Sequence, residues 1–318
     1  MSTQHTFLLV MAGILGLLVV AEAIAFLLGR RVRSEAGRAT IANLVARVRA
    51  WWVMAAVFGG AWWLGTGATI ALFALMSFFA LREFITLTPT RPGDHLPLFL
   101  AFFVLIPTQF GLIYADWYAL FSIFIPVYAF LLLPSFSAVA EDAEDFLARV
   151  AKIQWGVMIC VYAISHAPAL LLLDIPRFEG RNALLLFWLL LVVQLSDVMQ
   201  YVFGKLFGRR KIAPIVSPSK TVEGFMGGGL AAVGIGAAMW WITPFSPLQA
   251  AGMAAVIVLM GFLGGLSLSA VKRSLNAKDW GVMIEGHGGM LDRLDSVSFA
   301  APVFFHLTRY FFTGANAV

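Results

Sequence analysis

Long apolar runs, each broken by a short polar segment, set the pattern of this chain. A helix needs roughly 20 mostly apolar residues to cross the hydrocarbon core of a bilayer. Ten such spans are predicted, over residues 7–28, 50–65, 67–86, 96–114, 117–133, 153–173, 183–204, 223–243, 248–268 and 297–315. The block from Trp51 to Leu81 is too long for one helix and is divided on Gly59, Gly60, Gly65 and Gly67; left undivided, it would reduce the total to nine. The predicted fold is therefore an all-α, polytopic integral membrane protein of about ten transmembrane helices. Residues 1–182 carry spans one to six, and residues 183–318 carry the last four with two polar loops. No basic region precedes the first stretch, and Arg30, Arg31 and Arg33 follow it, so it reads as a retained span with its N-terminus outside.

Composition agrees with the pattern. The chain is 61% hydrophobic and 12% charged, against about 25% charged in a soluble domain. Too little polar surface is left to cover a water-soluble globule. The net charge of +5 does not point to nucleic acid, because the basic residues lie between apolar runs. They also alternate: segments 29–49, 82–95, 135–152, 205–222 and 269–296 hold 19 of the 22 Lys and Arg, which assigns those segments to the cytoplasm. The basic segment 29–49 reads as an interfacial helix against anionic lipid. Residues 138–152 read as an acidic, then basic helix with Ala138 and Glu141 near its start. The single cysteine, Cys160, excludes an intramolecular disulfide and a multi-cysteine metal site.

The chemistry lies in the last 125 residues or so. Asp197 sits inside an apolar helix, where a lone carboxylate costs about 3 kcal/mol or more unless paired or hydrated. After it come Gly204-Lys205, Gly208-Arg209 and Ser217-Pro218-Ser219-Lys220-Thr221. Glycines, hydroxyls and cations at the start of a new helix suit a phosphate. The second loop holds Ser269, Lys272-Arg273, Lys278-Asp279, Gly286-His287-Gly288-Gly289 and Asp292-Arg293-Leu294-Asp295. Asp292 and Asp295, three apart, share a face if the last helix begins there. Such a pair can hold Mg²⁺, with water and phosphate oxygens completing the shell.

These two motifs resemble the CDP-diacylglycerol synthases (phosphatidate cytidylyltransferases) at matching spacing over about 195–300. The first half of the chain is similar only in being hydrophobic. The resemblance implies transfer of a cytidylyl group from CTP to a lipid phosphate, phosphatidate above all, with release of pyrophosphate. It implies two Mg²⁺ ions held by Asp279, Asp292 and Asp295 with Asp197. Lys220, Lys272, Arg273, Lys278 and Arg293 would hold phosphates, and His287 would contact phosphate or order its loop. Ser217, Ser219, Thr221 and Ser269, with Lys205 and Arg209, would bind substrate. Membrane lipids and a second copy of the chain complete the expected partners. Val198-Met199-Gln200-Tyr201 is bulkier than the family's usual residues, and Glu285 stands where the family has proline; both departures bear on which lipid phosphate is the acceptor. Two competing readings are a CTP-dependent lipid kinase, which would release CDP, and a transporter or flippase with a phosphate-binding mouth. Paired broken halves, the mark of many transporters, are not visible.

The charge alternation is testable. Cysteines introduced as Ser219→Cys and Asn276→Cys are expected to react in intact cells only with membrane-permeant thiol reagents; labelling of either by an impermeant reagent would invert the orientation.

Overall fold

The computed structural model describes residues 3–31, 35–283 and 288–314. Among the described residues, ten long helical segments follow one another in the predicted order. They are α1 (Thr3–Arg31) and α2 (Glu35–Leu64), then α3 (Thr66–Leu87), α4 (Pro92–Tyr114), α5 (Tyr118–Ala138), α6 (Phe146–Leu172) and α7 (Asn182–Phe207). After a short hairpin come α8 (Gly224–Ala238), α9 (Pro247–Ser274) and α10 (Leu291–Phe312). Among the described residues, six of these (α3 to α7 and α9) are long and apolar enough to cross a membrane. Met11–Leu27 within α1 and all of α8 are shorter apolar stretches. The protein is an all-α polytopic membrane protein.

Three local differences from the sequence pattern have plain causes. Residues 35–49 of the basic segment expected as a separate interfacial helix are continuous with the second span, because nothing between Glu35 and Leu64 breaks the helix, and residues 29–31 end α1. The break comes at Gly65, whose φ of 97° an L-residue rarely adopts. Residues 139–145 turn rather than start a helix: Glu141 and Asp145 both have left-handed backbone, and α6 runs unbroken from Phe146. The Ser-Pro-Ser-Lys-Thr motif, expected as loop, is strand β2 (Ser217–Thr221) paired antiparallel with β1 (Lys211–Ala213). Lys211 lies opposite Thr221, and Ala213 opposite Ser217.

Several helices contain a widened π-turn, at Ala101–Leu105, Phe124–Ala129, Met158–Ala163 and Gly224–Gly228. Pro107 and Pro126 fall just after or within the first two. A proline ring displaces the carbonyl four residues back and removes a donor, and a wider turn absorbs both.

One buried core joins the two halves of the chain, from Phe73 on α3 to Trp188 on α7 and Phe304 on α10. The Trp188 ring packs on Phe304 with centroids 5.6 Å apart, and its Nε1–H donates to the Gly236 carbonyl at 3.1 Å. Where α4 and α6 meet the polar turns, Arg149 is buried against Asp94 at 3.1 Å, their side chains only 4% and 0% exposed. Its guanidinium also donates to the carbonyls of Glu144 and Asp142. Removing one partner of a buried pair strands the other charge, at a cost of about 3–5 kcal/mol. Arg149→Ala is therefore expected to lower the unfolding midpoint in detergent sharply. Wild-type stability in that variant would show that Asp94 finds water or another partner.

Candidate active site

Four elements bring polar groups to one place in the bundle. α7 carries Asp197, α10 carries Asp295 and Ser296, α9 carries Gly264 and Gly265, and β2 carries Lys220. The Ser296 hydroxyl donates to Asp197 at 3.3 Å, and the Ser296 amide donates to Asp295 at 2.7 Å. Two carboxylates thus meet around one serine. Lys220 reaches from the hairpin onto α9, where its ammonium donates to the Phe262 carbonyl at 3.3 Å and lies 4.6 Å over the Phe262 ring. Burial holds the Lys220 ammonium pKa below its ordinary value, against the opposing charges of Asp197 and Asp295. A side chain at Gly265 would fill this space: its Cβ would stand 2.9 Å from Lys220 Nζ.

Asp292 does something different. Its Oδ1 faces Lys272 Nζ at 2.6 Å, and its Oδ2 accepts the amides of Trp280 at 2.8 Å and Gly289 at 2.9 Å. The carboxylate ties α9, the polar loop and α10 together. Arg293 is half-buried, and its Nε has no hydrogen-bond partner among the described residues. The Thr221 hydroxyl accepts the Gly224 amide at 3.1 Å and so closes the entry to α8. The Glu223 carboxylate accepts the amides of Arg209 and Arg210, which hold its pKa below the usual range.

The remaining sequence-predicted residues lie around this centre. Ser217 is buried and Ser219 exposed on β2. The Ser269 hydroxyl is spent on the Gly265 carbonyl at 2.6 Å. Arg273, in the last turn of α9, is exposed and donates to the Ala277 carbonyl, and Lys278 and Asp279 are exposed on the loop. Lys205 and Arg209 are exposed at the foot of α7, with Lys205 beside the Tyr201 ring. His287 and Glu285 lie outside the described residues. Gln200 donates to Ser196 on its own helix at 2.6 Å, and its backbone is pressed by α8: a Cβ at Gly224 would stand 2.7 Å from the Gln200 carbonyl.

Among the described residues, no three His, Cys, Asp or Glu side chains converge tightly enough to cage a metal. The convergent pair is Asp197 and Asp295. Mg²⁺ is ordinarily held by one or two carboxylates, with water and substrate phosphates filling the shell, so this donor set fits it.

The profile of the cytidylyltransferase family matches residues 45–311. The chain belongs to the cytidylyltransferase family. A phosphatidate cytidylyltransferase of Staphylococcus haemolyticus (strain JCSC1435) is 29% identical over 245 residues, covering 74% of this chain and 88% of the relative. Another, from Staphylococcus aureus (strain COL), is 39% identical over 129 residues, 40% of this chain and 49% of that protein. A protein of Escherichia coli (strain K12) called uncharacterized protein YnbB is 39% identical over 309 residues, 94% of this chain and 97% of YnbB. This cytidylyltransferase is a nucleotidyltransferase that moves a cytidylyl group from CTP to a lipid.

Motif reading missed Ser296 and also Glu83, whose carboxylate accepts the Met290 and Leu291 amides at the start of α10. Ser296 follows Asp295 directly and carries no signal of its own. Glu83 stands at the polar end of an apolar helix, and that interruption is its only mark in the sequence.

The two aspartates of the last motif should separate by stability. Asp292→Asn strands Lys272, whose side chain is 11% exposed, and should cost about 3 kcal/mol. Asp295→Asn relieves repulsion with Asp197 and should leave the unfolding midpoint in detergent unchanged or higher. The reverse order would exchange the roles given to the two carboxylates.

Proposed function

We propose that the protein catalyses the reaction of phosphatidate with CTP to give CDP-diacylglycerol and pyrophosphate, at the cytoplasmic face of a bacterial inner membrane. The observation that carries this reading is the meeting of Asp197 and Asp295 at Ser296, with the Lys220 ammonium held beside them. A lipid phosphate oxygen attacks the α-phosphorus of CTP, and the bond to the bridging oxygen of the leaving pyrophosphate breaks. The lipid phosphate is already anionic, so no strong base is needed. The protein must orient two anions and neutralise the charge that grows on the leaving group.

Asp197 and Asp295 would hold Mg²⁺, which supplies Lewis-acid stabilisation of phosphoryl oxygens when bound. Lys220 and Arg293 stand ready for phosphate oxygens: Lys220 has donors beyond its single carbonyl contact, and Arg293 has a buried Nε without a partner. Asp292, with both oxygens engaged, would keep Lys272 and the polar loop in register with α10. Met199 and Gln200 follow Asp197 on the same helix and would shape the acceptor side. An added methylene or amide shifts discrimination by about 1–3 kcal/mol, enough to favour a related lipid phosphate.

The test is an assay of purified protein with labelled CTP and a panel of lipid phosphates. Cytidylyl-lipid and pyrophosphate are expected, with phosphatidate the best acceptor, and Asp295→Asn should lower turnover at least about 100-fold. Release of CDP with a phosphorylated lipid alcohol would identify a kinase instead. Full turnover by Asp295→Asn would remove that residue from the centre.

A further inference from the structure

Glu83 lies at the polar end of α3, in the half of the chain that carries no motif. Its Oε1 accepts the Met290 amide at 2.8 Å, and its Oε2 accepts the Leu291 amide at 2.9 Å. These amides open α10. The first amides of a helix lack carbonyl partners and carry partial positive charge. A capping side chain normally comes from the residue just before the helix; that residue is Met290, which has no such group. The cap is supplied instead from 207 positions away.

The loop is moulded on the same carboxylate. A Cβ at Gly281 would stand 2.8 Å from Glu83 Oε1, and one at Gly289 would collide with the same group. Beneath it, Phe84 packs between Trp280 at 5.5 Å and Trp155 at 5.7 Å. The amides of three successive residues, Gly289, Met290 and Leu291, are thus each held by a carboxylate, the first by Asp292 and the next two by Glu83. Asp295 comes one turn later on α10. A small rotation of that first turn would carry Asp295 away from Asp197.

We infer that Glu83 is a positioning residue for cytidylyl transfer: by clamping the amides of Met290 and Leu291, at the cap and first residue of α10, it fixes Asp295 against Asp197. The inference rests on the proposed reaction. It is tested by comparing wild type, Glu83→Ala and the isosteric Glu83→Gln in detergent, by amide hydrogen exchange and by kinetics. In Glu83→Ala, the Met290 and Leu291 amides should exchange about 100-fold faster, as expected when a local hydrogen bond opens, while the amides around Asp197 do not change. Turnover should fall about 100-fold, the scale of a misplaced reacting group, with the KM for CTP within about 3-fold of wild type. Added formate, a small carboxylate, should restore turnover at least about 10-fold in Glu83→Ala, and formamide should not. Glu83→Gln keeps volume and one acceptor oxygen and should fall between the two; it carries the test alone if the alanine variant does not purify as a folded protein. Faster exchange with unchanged turnover would overturn the inference and leave Glu83 a purely structural cap. Unchanged exchange would overturn it by removing the contact. Wild-type protein that transfers no cytidylyl group to any lipid phosphate would overturn the proposed reaction itself, and is told apart because the exchange difference would persist.

Discussion

Two carboxylates that accept from the same serine repel each other, and the packing of the C-terminal helices keeps them together. Asp197 and Asp295 come from helices almost a hundred residues apart and meet at Ser296, which donates its hydroxyl to one and its amide to the other. Neither donor removes the repulsion. The close packing of α9 on α10 does most of the restraining: a Cβ at Gly264 would stand 2.6 Å from the Asp295 carbonyl, so the two backbones touch. The neighbouring Gly265 leaves room for the Lys220 ammonium. Lost side-chain volume on α9 thus gives both the helix approach and the space for a cation.

The hairpin that delivers Lys220 depends on a second backbone contact. Gly224 and Gly228 on α8 bear directly on Gln200 of α7. This brings β2 beside the helix that carries Asp197, and Thr221 closes the junction through the Gly224 amide. Met199 and Gln200, the bulky residues beside Asp197, therefore lie where α7 is already constrained by α8. A change there alters helix spacing as well as side-chain chemistry.

Two polar islands sit in this bundle, and they differ in how fully their groups are satisfied. Around Arg149 every branch of the guanidinium has a partner: Asp94, the Glu144 carbonyl and the Asp142 carbonyl. Such a cluster is closed and holds turns together. Around Asp197 the pairing is open: the Arg293 Nε has no partner among the described residues, and Lys220 makes one weak carbonyl contact. Unfinished hydrogen bonding among charged groups is costly in an apolar setting. A phosphate-rich substrate with a divalent cation would complete it.

Apolar periodicity by itself determined that the chain is helical and polytopic, because a membrane helix is fixed by one continuous run of its own residues; of the ten spans it predicts, six are long and apolar enough to cross a membrane among the described residues. The spacing of Ser269, Lys272, Asp292 and Asp295, with Asp197 and the Ser-Pro-Ser-Lys-Thr motif, likewise carried the family. What the sequence could not determine is how these residues share the work. Asp292 and Asp295 look alike on one helix face, yet one is saturated by Lys272 and two amides while the other faces Asp197. Glu83 carries no motif, and α2 absorbs a segment that reads as interfacial because no local breaker stops it. The strand at Ser217–Thr221 needs its partner at Lys211–Ala213. Each of these outcomes is a contact between groups distant along the chain or a choice among local alternatives, and only the packing of helices against one another decides it.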